Sequence, residues 1–275
     1  MPDLVAEPEL PGQDREERQM GAMSLLQHLD ELRRRIIYSL AATGISFLAC
    51  WGFAQNYIYP WIQKPIIEVF KKYNIDPHLT YLNPTDPFNL YMKVGLMAGI
   101  FLASPILLYQ IWAFISPGLY RNEKRFVLPF LFLSVGLFLA GGYFGYRIVF
   151  PVAMDFLIGT YGANFRANIT ITEYTKLFLT IILGLAIIFE LPIVLGFAGM
   201  MGVVSAKFLF KHIRGAILIF FVIAAILTPT TDIMNMTIYA APMILLYVGS
   251  IGIVWMVHPR QRRKRAQKRK DQDLQ

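Results

Sequence analysis

Two short polar segments carry the residues best suited to bind another molecule. The first, HLDELRRR at residues 28–35, contains Glu31, and the second, SPGLYRNEKR at residues 116–125, contains Glu123. A carboxylate can accept two parallel hydrogen bonds from a guanidinium group, a geometry that an ammonium group does not match. A pair of such carboxylates on one face of a membrane is what a receptor for a basic peptide needs.

Both acidic residues also have a plain structural interpretation. Glu31 precedes three arginines, an arrangement typical of a solvated helix start whose basic side chains extend toward lipid head groups. Glu123 has Arg121 and Lys124 beside it, as in an ordinary charged turn. Their placement next to long apolar runs favours binding, because partial dehydration at head-group level strengthens a carboxylate–guanidinium pair.

A third carboxyl group, Glu190, lies inside an apolar run. An ionised acid in hydrocarbon is expensive unless it is neutral, paired or hydrated, so such a residue is a functional candidate. Pro192 removes a backbone donor nearby and admits polar contacts. We interpret Glu190 as a polar patch in a helix-lined cavity, and the alternative is a protonated structural residue bonded between helices.

The elements that position these groups are apolar. Hydrophobic residues make up 56% of the 275 residues, charged residues only 16%, and the mean hydropathy is +0.48, which indicates an integral membrane protein. The net charge of +8 is distributed between apolar runs, so we expect no nucleic-acid partner. With one cysteine and no metal, phosphate-loop, nucleotide or catalytic-triad motif, we expect no metal site, no cofactor and no enzymatic activity.

Six runs are long enough, or nearly so, to cross a bilayer, which takes about 20 apolar residues. They are Ile36–Ala54, Phe88–Ile115, Phe126–Phe150, Leu177–Val204, the short Ile213–Leu227, and Ile233–Val257. An even number places both termini on one side. Nineteen of the 26 lysines and arginines lie on that side, so the positive-inside rule predicts cytoplasmic termini.

The chain divides into three parts by composition. Residues 1–22 are acidic and aperiodic, which predicts a disordered extension. Residues 23–257 form the membrane domain, and residues 258–275 form a basic tail attracted to anionic lipid. Within the first run, FLAC at residues 47–50 resembles a lipoprotein cleavage site, but Leu48 is too bulky for that site, so we interpret the run as a retained anchor.

The predicted outer segments are larger than the inner ones. Residues 54–87 contain apolar side chains at helical spacing, which predicts an amphipathic helix on the outer interface followed by a return loop. Residues 150–176 form a second outer segment, and the two together can make a cap. Prolines in or beside most runs favour kinked helices and a cupped shape.

The motifs resemble those of the TatC family, the multispanning subunit of the twin-arginine translocase. The resemblance is carried by SLLQHLDELRRR at 24–35, SPILLYQIWAFISPGLY at 104–120 and on to Glu123, FELP at 189–192, and LTP at 227–229 ahead of Asp232. The landmarks occur in order from about residue 23 to 257. Thr230 and Thr231 make the last turn look one residue longer than the family pattern.

The resemblance implies a bacterial inner-membrane protein of six helices, glove-like and concave, with cytoplasmic termini. It implies that twin-arginine signal peptides of folded cargo bind at Glu31 and Glu123, with Arg33 and Phe114 beside them. It also implies that TatA- and TatB-like single-span partners dock near Glu190, and that copies self-associate. Pro65 and Asp232 match further family positions on the outer side.

Two alternatives remain open at this point. A small proton- or ion-coupled secondary transporter would use Glu190 as its ion site, although no internal repeat and no second polar midplane group support it. A membrane scaffold would depend on the basic tail for lipid or ribosome binding and would have no cargo site.

Overall fold

The computed structural model describes residues 13–115, 127–162, 165, 167–228 and 233–272. Within these ranges the regular elements are helices, and strand pairing is limited to an isolated bridge between Thr80 and Thr170. The α-helices are α1 Gln13–Phe53, α2 Tyr59–Lys72, α3 Asp86–Ile115, α4 Val127–Phe144, α5 Phe150–Phe156, α6 Ile171–Ile188, α7 Leu191–Met200, α8 Ala206–Lys211, α9 Ile213–Leu227 and α10 Ile233–Gln272.

The expected all-α membrane fold is confirmed. Five described stretches are long and apolar enough to span a bilayer, and α9 is a shorter apolar helix, which agrees with six crossings. The five are Gln27–Lys72, Asp86–Ile115, Leu128–Thr160, Ile171–Met200 and Met236–Trp255. At about 1.5 Å per residue the 15 residues of α9 extend only about 22 Å, so this helix is short for a full crossing.

Three boundaries differ from the sequence-based expectation. The first apolar helix continues into α2 through a π-helical turn, Ala54–Ile58, instead of ending before a separate interfacial helix. The third apolar helix continues past Phe150 to Tyr161, and Pro151 lies directly after a π-helical turn, Gly145–Val149, in this continuous stretch. The fourth apolar helix is broken at Glu190, since Pro192 cannot donate a helix hydrogen bond.

The first and last helices extend beyond the apolar runs. Helix α1 begins at Gln13, within the segment 1–22 for which we expect a disordered extension. Residues 1–12 lie outside the described residues, so for them the disordered extension stays a prediction. The helix α10 continues without a break into the basic tail as far as Gln272.

Helix α1 lies at the edge of the bundle and packs mainly on α3. Two glycines of α3 permit this contact. A Cβ atom at Gly99 would lie 2.8 Å from the backbone N and Cα of Phe47, and one at Gly95 would lie 3.1 Å from the Cα of Trp51. Close packing through small residues four apart is a common way for helices to associate in membranes.

The two segments that we expect on the outer side contact each other, and their outer position stays a prediction. The amide of Thr80 donates to the Ile169 carbonyl at 3.1 Å, and the amide of Ile171 donates to the Thr80 carbonyl at 2.8 Å. Lys72 of α2 forms a 2.7 Å ion pair with Asp155 of α5. The apolar face of α2 is buried against the protein core, so this helix is part of the bundle.

Candidate functional site

One face of α1 carries the polar residues that meet α3. His28, Glu31 and Arg35 follow one another at intervals of three and four residues, so they lie on the same side of the helix. Their partners, Gln110 and Phe114, lie four residues apart near the end of α3. The contact therefore joins the start of the first apolar run to the end of the second.

Arg35 is the centre of this contact. Its Nη2 donates to Oε1 of Glu31 at 3.0 Å and its Nη1 donates to Oε1 of Gln110 at 3.0 Å. The side chains of Arg35 and Glu31 are 26% and 30% exposed, whereas Gln110 is buried. The guanidinium thus bridges a carboxylate on its own helix and an amide on the neighbouring helix.

His28 and Phe114 close the same end of the contact. Their rings stack with centroids 4.4 Å apart and planes inclined by 14°. Stacked aromatic rings contribute about 0.5–1.5 kcal/mol beyond the apolar area that they bury. His28 lies one turn before Glu31 on α1 and stacks on Phe114 of α3. Glu31 and Phe114 therefore lie at the same end of the bundle.

Arg33 is not part of this contact. It lies two residues after Glu31, about 200° around the helix, and its side chain is exposed. Glu123 and Asp232 lie outside the described residues, so their expected roles stay predictions. The described part of the chain contains no group of three or more His, Cys, Asp or Glu residues that could hold a metal ion.

A polar pocket of about 510 Å³ lies along this face of α1. Its described lining contains both signs of charge and consists of Gln27, Asp30, Glu31, Arg34, Arg35 and Tyr38. Among the described residues, Oε2 of Glu31 accepts no hydrogen bond. The pocket therefore offers one unused carboxylate oxygen to an approaching cation.

Glu190 occupies a separate position, at the break between α6 and α7. The hydroxyl of Ser134 in α4 donates to its Oε2, while Oε1 is buried with no partner among the described residues. The backbone carbonyl of Glu190 accepts from Ile193 and Val194 at 3.0 Å and so begins α7. A buried carboxyl oxygen without a described partner is costly, which marks Glu190 as a candidate functional group.

Pro65 is buried in α2 and has a structural role there. Because proline has no N–H, the Trp61 carbonyl four residues earlier loses its helix partner. The hydroxyl of Tyr146 donates to that carbonyl at 2.8 Å, and the hydroxyl of Tyr174 donates to the next one, Ile62, at 2.7 Å.

An apolar groove of about 270 Å³ opens between α2, α3, α4 and α6. Trp61, Phe101 and Tyr143 are among the residues that line it. A Cβ atom at Gly142 would lie 2.4 Å from the Phe101 ring, so the absence of a side chain at this glycine makes room for that ring at the groove. The groove agrees with the expected concave bundle.

Sequence reasoning missed the partners of the polar groups. Gln110 and Ser134 are isolated polar residues in long apolar helices, and that isolation was a usable signal, because an unpaired polar side chain in hydrocarbon is costly. His28 was also missed. Its spacing of three and seven residues from Glu31 and Arg35 was the signal that all three share one helix face.

Comparison with known proteins identifies the family. The family model described as Sec-independent protein translocase protein (TatC) matches residues 27–242. The Sec-independent protein translocase protein TatC of Koribacter versatilis (strain Ellin345) is 52% identical over 273 residues, which are 99% of this chain and 100% of that protein. The TatC of Desulforapulum autotrophicum is 39% identical over 225 residues and covers 82% of both chains.

Solved structures agree with this family. A crystal structure titled twin arginine translocase receptor TatC matches with a TM-score of 0.73 at 35% identity, over 82% of this chain and 97% of that one. A second crystal structure of that receptor, in DDM, matches with a TM-score of 0.74 at 36% identity, over 82% of this chain and 98% of that one. This chain therefore belongs to the TatC family of protein translocase components, which are multispanning membrane proteins of the twin-arginine pathway and not enzymes.

Proposed function

We propose that this protein is the receptor subunit of a twin-arginine translocase. It binds the paired arginines of signal peptides on folded cargo at the cytoplasmic face, through the carboxylates of Glu31 and Glu123. Arg33 and Phe114 flank this site, and single-span TatA- and TatB-like subunits assemble with the receptor for export.

The observation that carries the proposal is the partial exposure and incomplete hydrogen bonding of the Glu31 carboxylate. Its carboxylate is partly exposed, lines the polar pocket and keeps Oε2 free of described partners. The pairing of Arg35 with both Glu31 and Gln110 holds this carboxylate at a fixed place beside α3. An exposed ion pair contributes only about 0–1 kcal/mol, so fixed geometry and apolar burial of the signal must supply the rest.

Packing of the flanking helices supports a role for Glu123 at the same end. Trp112 near the end of α3 and Phe130 near the start of α4 have ring centroids 5.9 Å apart, and Phe197 of α7 packs on Trp112 at 4.9 Å. Both ends of the segment that contains Glu123 are thus held together. Glu123 is four residues from Val127, a reach of at most about 14 Å at full extension.

The distribution of charge supports a cytoplasmic position for this site. The positive-inside rule places both termini, and with them the Glu31 end of α1, in the cytoplasm of a bacterial cell with the protein in its inner membrane. The basic tail after residue 258 then lies near anionic lipid head groups.

Glu190 supports the assembly part of the proposal. Its Oε1 is buried in an apolar region without a described partner, so a single-span helix that packs at the α6–α7 break and shifts the covering side chains supplies the missing hydrogen bond. Pro65 and Asp232 belong to the same assembly function on the outer side, and copies of the receptor self-associate in the complex.

The test is a binding titration with the full chain in nanodiscs. The probe is a synthetic peptide with an Arg-Arg pair ahead of an apolar segment. Glu31→Gln and Glu123→Gln each weaken binding about tenfold, because a neutral amide loses the charge-assisted pair. Glu68→Gln is the matched control, since it removes the same charge from an exposed position on α2.

Unchanged affinity in both site variants, or an equal loss in Glu68→Gln, would contradict the proposal. The solute-transporter alternative is not supported by the family, and it predicts ion-coupled uptake by proteoliposomes that contain this chain alone. No such uptake is expected here.

A further inference from the structure

We propose that Arg35 is an internal guanidinium that occupies Glu31 before the signal peptide arrives and thereby weakens the binding of an arginine more than the binding of a lysine. The inference rests on the proposed function, because it concerns how the ligand competes for Glu31. It assigns a specificity-determining role to Arg35, which the receptor proposal uses only to position Glu31.

The competition follows from the bonds already formed. Arg35 holds Oε1 of Glu31 through a single N–H donor at 3.0 Å, so only Oε2 is open to a newcomer. A bidentate pair needs both carboxylate oxygens. An arriving arginine must therefore displace the Arg35 donor from Oε1, replacing one charge-assisted hydrogen bond with two.

Gln110 makes that displacement inexpensive. The second donor group of Arg35 is bound to Oε1 of Gln110 at 3.0 Å, and Gln110 is buried and fixed within α3. When Arg35 leaves Glu31, it keeps this bond and stays at the helix contact. The stacked pair of His28 and Phe114 holds the two helices together meanwhile, so the exchange needs side-chain movement only.

Lysine does not meet this competition. An ammonium group presents a compact charge without the planar fork, so it forms no matched pair with both oxygens. It binds Oε2 with one bond and leaves Arg35 in place, so it gains one bond whether or not Arg35 is present. An arginine gains two bonds when Arg35 is absent but only a net one bond when Arg35 must be displaced, so Arg35 narrows the advantage of an Arg-Arg signal over a Lys-Lys signal.

Arg34 provides the contrast that isolates this effect. It carries the same charge and lines the same pocket, but its side chain is exposed and forms no hydrogen bond or ion pair with a described residue. Loss of Arg34 changes the local charge without freeing Glu31.

The experiment compares Arg-Arg and Lys-Lys peptides on wild type, Arg35→Gln, Arg35→Lys and Arg34→Gln in nanodiscs. The measured quantity is the ratio of the Lys-Lys to the Arg-Arg dissociation constant. We expect Arg35→Gln to raise this ratio at least threefold, mainly because the Arg-Arg peptide then pairs with both oxygens of Glu31 without displacing a resident donor. Arg35→Lys also raises it, with the net charge unchanged, because one ammonium group does not bridge Glu31 and Gln110 as the guanidinium does, whereas Arg34→Gln tightens both peptides alike and leaves the ratio as in wild type.

An unchanged ratio in both Arg35 variants, or an equal rise in Arg34→Gln, would overturn the inference. Glu31→Gln separates it from the receptor proposal. If this variant binds the Arg-Arg peptide as well as wild type does, the receptor proposal fails. If it loses binding while the Arg35 variants keep the wild-type ratio, only the competition by Arg35 fails.

Discussion

The hydroxyl of Tyr146 donates a 2.8 Å hydrogen bond to the carbonyl oxygen of Trp61, the group that Pro65 leaves without a helix partner. The two rings also stack with centroids 3.9 Å apart. The carbonyl that Pro65 leaves unpaired in α2 is thus bonded from the middle of the third spanning helix. The proline and the tyrosine form one structural unit across 81 residues of sequence.

Removal of this hydroxyl should destabilise the fold without changing its shape. Tyr146→Phe keeps the stacked ring but leaves the Trp61 carbonyl unpaired, which costs about 1–3 kcal/mol. Thermal unfolding in detergent measures the loss. Tyr143→Phe is the control, because Tyr143 is exposed and its hydroxyl has no described partner. If Tyr146→Phe and Tyr143→Phe had the same melting temperature, the hydrogen bond from Tyr146 to Trp61 would have no effect on stability.

The close approach of α1 to α3 should depend on Gly99. Gly99→Ala places a methyl group 2.8 Å from the Phe47 backbone, so the helices must separate, at a cost of about 1–3 kcal/mol. We expect a lower melting temperature and weaker Arg-Arg peptide binding, since the same contact positions Glu31. Gly136→Ala in α4 is the control, because a Cβ there meets nothing within 4 Å. A Gly99→Ala protein as stable as Gly136→Ala would contradict this role.

The sequence predicted the elements that follow from local physics. Runs of apolar residues set the spans, and the helical spacing of Ile62, Ile66 and Phe70 predicted α2. The continuation of the first helix into α2 was missed, because a π-helical turn at Ala54–Ile58 has no reliable sequence signal. Pro192 is the sequence signal for the break at Glu190, although the apolar run alone predicts one continuous span.

The site was harder to predict, because its contacts join distant parts of the chain. Glu31 was singled out by its type and position, but its neighbours Arg33, Arg34 and Arg35 look alike in sequence. Only the packing of α1 on α3 distinguishes Arg35, which meets Gln110, from Arg33 on the far side of the helix. The partner of Glu190, Ser134, is likewise set by the packing of α4 on α6 and α7.

The stacked pair of His28 and Phe114 should support signal binding. Loss of either ring removes about 0.5–1.5 kcal/mol of stacking, so His28→Ala and Phe114→Ala each weaken Arg-Arg peptide binding about two- to tenfold. The double variant should lose less than the sum, because both changes break one contact. Phe132→Ala, at an exposed aromatic on α4, is the control. Fully additive losses would mean that the rings act separately.

The last prediction concerns the division of labour between the two acidic sites. Glu190→Ala should reduce co-purification of single-span partner subunits while Arg-Arg peptide affinity stays within about twofold of wild type. The reason is that Glu190 Oε1 is buried at the α6–α7 break, and none of the described residues that line the polar pocket contacts it. Both quantities are measured on the same purified complexes, by quantifying the partners and by titrating the peptide.

Ser134→Ala tests the same site through its hydrogen bond. It keeps the carboxyl group but removes the donor to Oε2, so the acid loses its fixed orientation and partner recovery should fall to an intermediate level. Ser250→Ala is the matched control, because its hydroxyl bonds only the Leu246 carbonyl of its own helix at 2.7 Å. Equal loss of partners and peptide in Glu190→Ala, or loss of neither, would contradict separate roles. Since Ser134 and Glu190 come from different helices, a fall in both Ser134→Ala and Glu190→Ala with Ser250→Ala unchanged would assign partner docking to this carboxyl group.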